Sequence, residues 1–568
     1  MSEKTNIKKK IKYIIIAIHA LLTLAFAPLV FENVGVNPFM SKVVREVISS
    51  RGEIVMSYIY TEITALVLVF LFWNFVFKIF SGFKKSYITF LIIFVVGTAA
   101  IFLIWPEVFT NRYMHMHDNL TTFSAAIRLT PDYWHSFYLS VVYAAAMLFL
   151  PVRFSITLMQ WAFFVAVLAY VFHRAKNNFG NPAYLIFLFF LFPNASEIMT
   201  YAHRICMYVI LLALFTAIIL FDIYEKKKRS VEETVGLCAF AAFLCVWRSE
   251  GIIFCAPLFI AYLIAVYKKA FARIFKTLVI FASFFAIISI PQKVGDEKYY
   301  GKDYSIMNSF ENLYYIFNAS NADLEYKNAS NDLQKIEKIV PVGMVKEFAT
   351  EGYRNYNVNV RKNYDLDQSA VSIDEAKEYM AAYKSVLAHN PLIIVKLRIN
   401  WAFETCGLGG PFKLEEYTGE KHEIEERHYY GWDVGYVDYY QGFINKWRAI
   451  GLRDRFANKI FRLFTGYRDF TMNYAIYGIG LLILVLTNAF IAVKGIVSFF
   501  KKKDCFETVI GAAGFFALAA FAAIIAVMPV PSYIYFYSTW ISMMTVVYIF
   551  GLYAVCSKKH GKGEKNAD

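Results

Sequence analysis

Charge is scarce in this chain of 568 residues: Asp, Glu, Lys and Arg make up 18% of it, hydrophobic residues make up 58%, and only 14 prolines interrupt it. A water-soluble protein could hide that much apolar surface only inside an implausibly large core, so lipid must supply most of the solvent. Cysteine is sparse as well. The seven residues lie mostly inside apolar runs, and Cys406 alone falls in the large hydrophilic segment, so no disulfide framework can be built there. The chain lacks a P-loop, a dinucleotide glycine fingerprint and a zincin motif, which leaves nucleotide-driven transport and cytosolic nucleotide-sugar chemistry without support, and no nucleotide cofactor is expected. Acidic residues are outnumbered, 44 against 58 Lys and Arg, for a net charge of +14. The basic residues sit in short clusters between apolar runs. This is the positive-inside pattern of a membrane protein rather than the continuous basic face of a nucleic-acid binder.

What is abundant is apolar runs, thirteen of them. A helix rising about 1.5 Å per residue needs roughly 17 to 25 apolar residues to cross the hydrocarbon, and each crossing should leave its basic flank in the cytoplasm. The first run, residues 11–31, follows four lysines and lacks a small-x-small cleavage site, so it reads as a retained anchor. Five runs lie between the cytoplasmic markers Lys84 with Lys85 and Lys226 to Arg229, and an odd number cannot return the chain to the same side. Residues 137–152 are the best choice for the run that does not span: they are short, end at Pro151 and Arg153, and are expected to form an interfacial or re-entrant helix buried against protein. Residues 182–192 are shorter still, but excluding them would place Arg174 and Lys176 outside. The expectation is an all-α polytopic integral membrane protein with about 12 transmembrane helices and both termini in the cytoplasm. Its parts are an N-terminal membrane module (1–290), an extracytoplasmic, mostly helical segment (291–470) and a C-terminal membrane module with a basic tail (471–568).

Ionisable groups at membrane depth or in tight external turns are costly, so function is sought there. The loop 106–136 carries His115, His117 and Asp118, then Asp132 and His135. A carboxylate such as Asp118 or Asp132 can take a proton from a hydroxyl, and a histidine such as His135 can share that task. The alternative is that these residues cap helices and solvate a loop. His115 and His117 are weak candidates for a divalent metal site, and no further ligand is evident. The turn Arg248-Ser249-Glu250-Gly251 joins two apolar helices. An Arg there offers a forked donor that matches a phosphate, with Glu250 to orient it, and the competing reading is a structural Arg–Glu pair. Tyr201, His203 and Arg204 begin a returning helix at the same level, where Arg204 is either a second phosphate ligand or an interface anchor.

This layout resembles the GT-C class of polytopic membrane glycosyltransferases, which take a sugar from a polyprenyl-phosphate carrier on the external face. The resemblance rests on four features: Asp118 in an early external loop with His135 at the start of a short non-spanning helix, an apolar helix ending at Pro193 before an external turn, the Arg248 turn, and Ala388-His389-Asn390-Pro391 opening an amphipathic helix. It covers architecture over most of the first 400 residues. The first loop departs from the class in having no Asp-Asp or Asp-Glu pair, and it follows the third span where it usually follows the first. The resemblance implies that Asp118 activates an acceptor hydroxyl while Arg248 and Arg204 stabilise the departing lipid phosphate, with a glycan, lipid or protein as acceptor. It also implies residence in a plasma membrane, and the short external loops and Lys-rich cytoplasmic turns suit a bacterial one. A polysaccharide polymerase or ligase shares the span count. A lipid or glycan flippase would need a polar path along the spans and usually inverted repeats, and neither clear repeats nor a run of mid-span charges is seen.

Overall fold

The computed structural model describes residues 2–31, 51–81, 85–104, 122, 125–129, 136–151, 155–191, 205–268, 270–295, 301–347, 372–405, 474–501, 505–528 and 537–563. Among them every regular element is helical and no strand occurs. They fall into two compact units, the first drawn from Met1–Ser289, Lys413–Ala520 and Tyr537–Asp568, the second from Ile290–Phe412 and Phe521–Phe536.

In the first unit the helices are α1 (Ser2–Val30), α2 (Arg51–Ser81), α3 (Lys85–Ile104), α4 (Phe137–Phe149), α5 (Ser155–Phe179), a 3-10 helix (Asn181–Leu191), α6 (Cys206–Tyr224), α7 (Val231–Trp247), α8 (Ser249–Tyr267) and α9 (Phe271–Gly295). Nine helices among the described residues are long and apolar enough to cross a bilayer, among them the segments Lys10–Pro28, Gly52–Phe77, Cys206–Tyr224 and Glu250–Tyr267. Large apolar side chains such as Leu21, Val67, Ile93 and Leu486 stand about half exposed on their surfaces. In water that would be prohibitive, and in lipid it costs nothing, so the chain is an all-α membrane protein.

Helix α4 departs from this lipid-facing pattern. Twelve of its thirteen residues are buried, from Phe137 to Leu148. It packs against α1, α2, α5 and α7. Its start lies beside Tyr60, whose ring centroid is 5.5 Å from that of Phe137, and its end lies beside Phe72, 5.2 Å from Phe149. The two helices therefore run parallel in matched register, and α4 stops part-way down α2, at the level where His19 sits midway along α1. Pro151 follows the break, and α5 resumes at Ser155. The helix is thus buried against protein, as expected of residues 137–152.

The segment 181–191 shows a second way to handle shortness. A 3-10 helix rises about 2.0 Å per residue, so eleven residues extend about 22 Å where an α-helix would reach about 16 Å. Tyr184, Leu185, Phe187 and Leu188 are exposed along it, while Ala183 and Ile186 are buried.

Further on, α15 (Tyr474–Phe500), α16 (Cys505–Val527) and α17 (Tyr537–Gly563) complete the set of apolar helices. Near the adjoining ends of α15 and α16, Gly495 and Gly511 meet backbone to backbone: a Cβ built on Gly495 would lie 2.4 Å from the Gly511 Cα. Close backbone approach through small residues is how lipid-embedded helices gain packing without a hydrophobic driving force.

The second unit buries an apolar core as a water-soluble domain does. It holds α10 (Gly301–Asn318), α11 (Ala329–Glu337), α12 (Val342–Glu347), α13 (Ile373–His389) and α14 (Pro391–Thr405). Ile306, Leu313, Ile316, Ile336, Val340 and Val386 are fully buried in one cluster. Ser372 starts α13 with a capping box, its Oγ accepting from Glu375 N while Glu375 returns a carboxylate to Ser372 N at 2.9 Å. Asn390 joins α13 to α14: its amide accepts from Asp323 N at 2.8 Å and donates to Asp323 O and Val386 O. The His389 ring stacks on Tyr326 at 3.8 Å, and burial pushes the Tyr326 hydroxyl up to about 12. A helix does open at Pro391, after Ala388-His389-Asn390.

Candidate functional site

Most of the residues singled out in the sequence, namely His115, His117, Asp118, Asp132, His135, Tyr201, His203 and Arg204, lie outside the described residues. The Arg248 turn does not. α7 ends at Trp247 and α8 begins at Ser249, so Arg248 is at once the C-cap of one helix and the N-cap of the next, in an extended conformation with φ −144° and ψ 147°. So tight a reversal depends on Gly251. A Cβ there would sit 2.2 Å from Leu244 O, so only glycine lets the second helix start against the end of the first.

Glu250 is 5% exposed. Its Oε1 accepts from the Arg248 Nε and, at 3.0 Å, from Ser538 Oγ of α17. A buried carboxylate of this kind persists only when paired, and the Arg and Ser together supply the pairing. The Arg248 guanidinium lies 5.9 Å from the ring centroid of Tyr208 and its side chain is 18% exposed. Tyr208 is fully buried against the edge of Trp247, with ring centroids 6.0 Å apart, and its hydroxyl has no hydrogen-bond partner among the described residues.

The arrangement joins both readings of the Arg–Glu pair. Glu250 pins α17 to the α7–α8 hairpin, which is structural. The same contact fixes the guanidinium at the N-terminus of a 19-residue apolar helix, where backbone N–H groups and the positive end of the helix dipole converge. Such a corner favours an anion, and a phosphate matches a guanidinium in shape and charge. Ser538 and Tyr208 were not legible as members of the site, since Ser538 lies 288 residues from Glu250.

A second buried polar group escaped the hydropathy reading altogether: Glu62, 7% exposed within the apolar segment Gly52–Phe77. Among the described residues no group of three or more His, Cys, Asp or Glu is placed to hold a metal ion. No protein-family model matches the chain, and neither a curated protein nor a solved structure gives a significant match.

Proposed function

We propose that the chain is a membrane glycosyltransferase of GT-C type that moves a sugar from a polyprenyl-phosphate donor to an envelope glycan, lipid or protein acceptor on the extracytoplasmic face of a bacterial plasma membrane. The observation that carries this reading is the Arg248 corner, a guanidinium oriented by a buried carboxylate at an apolar helix N-terminus. In this reading Arg248 neutralises the departing lipid phosphate and Asp118 takes the acceptor proton, with His135 and Asp132 close in sequence to assist. Arg204, His203 and Tyr201 lie just ahead of Tyr208 in the chain and belong to the donor side, and any divalent metal would fall to His115 and His117.

The topology that goes with it has twelve crossings and both termini in the cytoplasm. Nine are the long apolar helices, and α3, the extended 3-10 helix and α7 make twelve. α5 is one of the nine, so α4 is the run that does not cross, which leaves an even number of crossings between Lys85 and Lys226. A buried helix that stops part-way along its neighbours also favours a second reading, transport of a lipid-linked glycan, because interrupted helices are a hallmark of transporter sites.

Mass spectrometry of lipid-linked sugars and envelope glycans decides between them. Cells carrying Asp118→Asn or Arg248→Ala are expected to accumulate one polyprenyl-phosphate monosaccharide and lose one glycan decoration. Wild-type turnover by both variants removes the transferase. Loss of decoration with the donor trapped on the cytoplasmic leaflet indicates transport.

A further inference from the structure

The α1–α2–α4 seam holds two polar groups in the midst of apolar helices. His19 Nε2 lies 2.9 Å from Phe149 O, the carbonyl at the end of α4, and Trp73 Nε1 donates to His19 Nδ1 at 3.0 Å. An indole only donates and a carbonyl only accepts, so Nδ1 carries the lone pair and Nε2 the proton. The imidazole is therefore neutral, and it satisfies one of the carbonyls that α4 leaves open by stopping inside the protein.

One turn further along α1, Thr23 faces Glu62. The Thr23 Oγ1 is 2.8 Å from Ala20 O and 3.3 Å from Glu62 Oε2. Ala20 O and Glu62 Oε2 compete for the one proton of this hydroxyl, and the longer contact leaves Thr23 only a weak donor to Glu62. Tyr58, on the preceding turn of α2, hydrogen-bonds to the same carboxyl. Glu62 Oε1 has no hydrogen-bond partner among the described residues, nor have the buried hydroxyls of Ser57 and Thr61.

The titratable groups on the packed faces are His19 on α1, Glu53, Tyr58 and Tyr60 on α2, and Tyr138 and Tyr143 on α4. Among the described residues none of these supplies a positive charge, since the hydrogen bonds of His19 fit its neutral form. A carboxylate there would be buried, unpaired and short of donors, which is the most costly state such a group can take. We propose that Glu62 is a proton-binding site within the membrane, occupied at neutral pH, whose proton leaves only when water or a cation reaches the α1–α2–α4 seam. This assignment is independent of the reading of the Arg248 corner.

The test is an infrared difference spectrum of the purified full-length protein, wild type minus Glu62→Gln, at neutral pH in lipid. Gln keeps the shape and neutrality of the protonated acid, so the variant should fold and melt as the wild type does. The expected difference is a single C=O stretch of a protonated carboxyl that shifts down in D2O. A pair of carboxylate stretches in its place overturns the proposal. Dicyclohexylcarbodiimide gives a second readout. The acid proton passes to a carbodiimide nitrogen, the carboxylate oxygen bonds to its central carbon, and acyl migration to nitrogen leaves a stable N-acylurea with no atom lost. One adduct on the Glu62 peptide is expected, absent in Glu62→Gln and forming more slowly as pH rises. An adduct pattern unchanged by Glu62→Gln overturns the assignment.

Discussion

Two buried polar clusters in the first unit solve the same problem in opposite ways. At the adjoining ends of α5 and α6, Asp222 is fully buried and paired twice: Arg174 Nη2 reaches it at 3.1 Å and Arg229 Nε at 2.5 Å. Arg174 also grips Glu225 through two bonds of 2.7 Å, and Asn178 adds a third donor to that carboxylate. In the α1–α2–α4 seam Glu62 is likewise buried, and among the described residues no cation faces it. Burial penalises an unmatched charge in either place, so the first cluster keeps its ions by pairing every one of them, while the second holds His19 and Glu62 as neutral hydrogen-bonding groups. The paired cluster therefore acts as a clamp, and the neutral seam is the part able to change state.

The comparison breaks most visibly at Arg174. Replacing it with Ala leaves Asp222 with Arg229 and Glu225 with Asn178, and because several charge-assisted hydrogen bonds worth about 1.5–3 kcal/mol each go at once, the loss is expected to reach about 3 kcal/mol. Thermal melting in detergent should show a large fall, and a fall no greater than that of Glu62→Gln would abolish the distinction between the two clusters. A smaller effect, about 1 kcal/mol, is expected for Trp73→Phe, which strips His19 Nδ1 of its donor and leaves a part-buried acceptor unsatisfied. Nitrogen-15 spectra of the histidines would then show the Nε2–H tautomer in the wild type and its partial loss in the variant. Ser230→Ala should cost about 1 kcal/mol, because Ser230 closes the capping box that starts α7 beside the paired cluster. Hydrogen exchange confined to the first turn of α7 is the readout.

How far the sequence could anticipate this depends on the scale of each feature. Apolar runs are long-range averages, so the spans appear in the hydropathy pattern, and the helix at 373–389 is announced by Ser372 with Glu375 at its start. Arg248 and Glu250 stood out because a charged turn between two apolar helices is a local anomaly. Glu62 did not, since it and Glu53 barely lower the mean of a segment of 26 apolar-rich residues. The 3-10 geometry of residues 181–191 was invisible for another reason: hydropathy counts residues, while crossing depends on rise per residue. The parallel register of α4 on α2 is fixed by contacts such as Tyr60 with Phe137, whose partners lie some 77 residues apart in the chain and follow no pattern that either run shows alone.

The second unit supplies the control for both membrane clusters, because its polar groups lie in reach of water. At the start of α13 the hydrogen bond from Ser372 holds the exposed Glu375 carboxyl below the usual carboxylate range, with the Ser372 backbone N–H adding to it. A carboxyl depressed in the folded state contributes stability that is present above its unfolded value and is lost as pH falls through its folded one. The wild-type unit should therefore lose a small increment of helix stability only in acid, below the ordinary range for glutamate, and Ser372→Ala should remove that acid step while leaving the core of Ile306, Leu313 and Val386 intact. Hydrogen exchange of the first α13 amides across an acid titration measures it. Because water solvates whichever form is present, this shift should be the smallest of the four, and an effect as large as that of Arg174→Ala would mean that exposure to water does not separate this cap from the buried clusters.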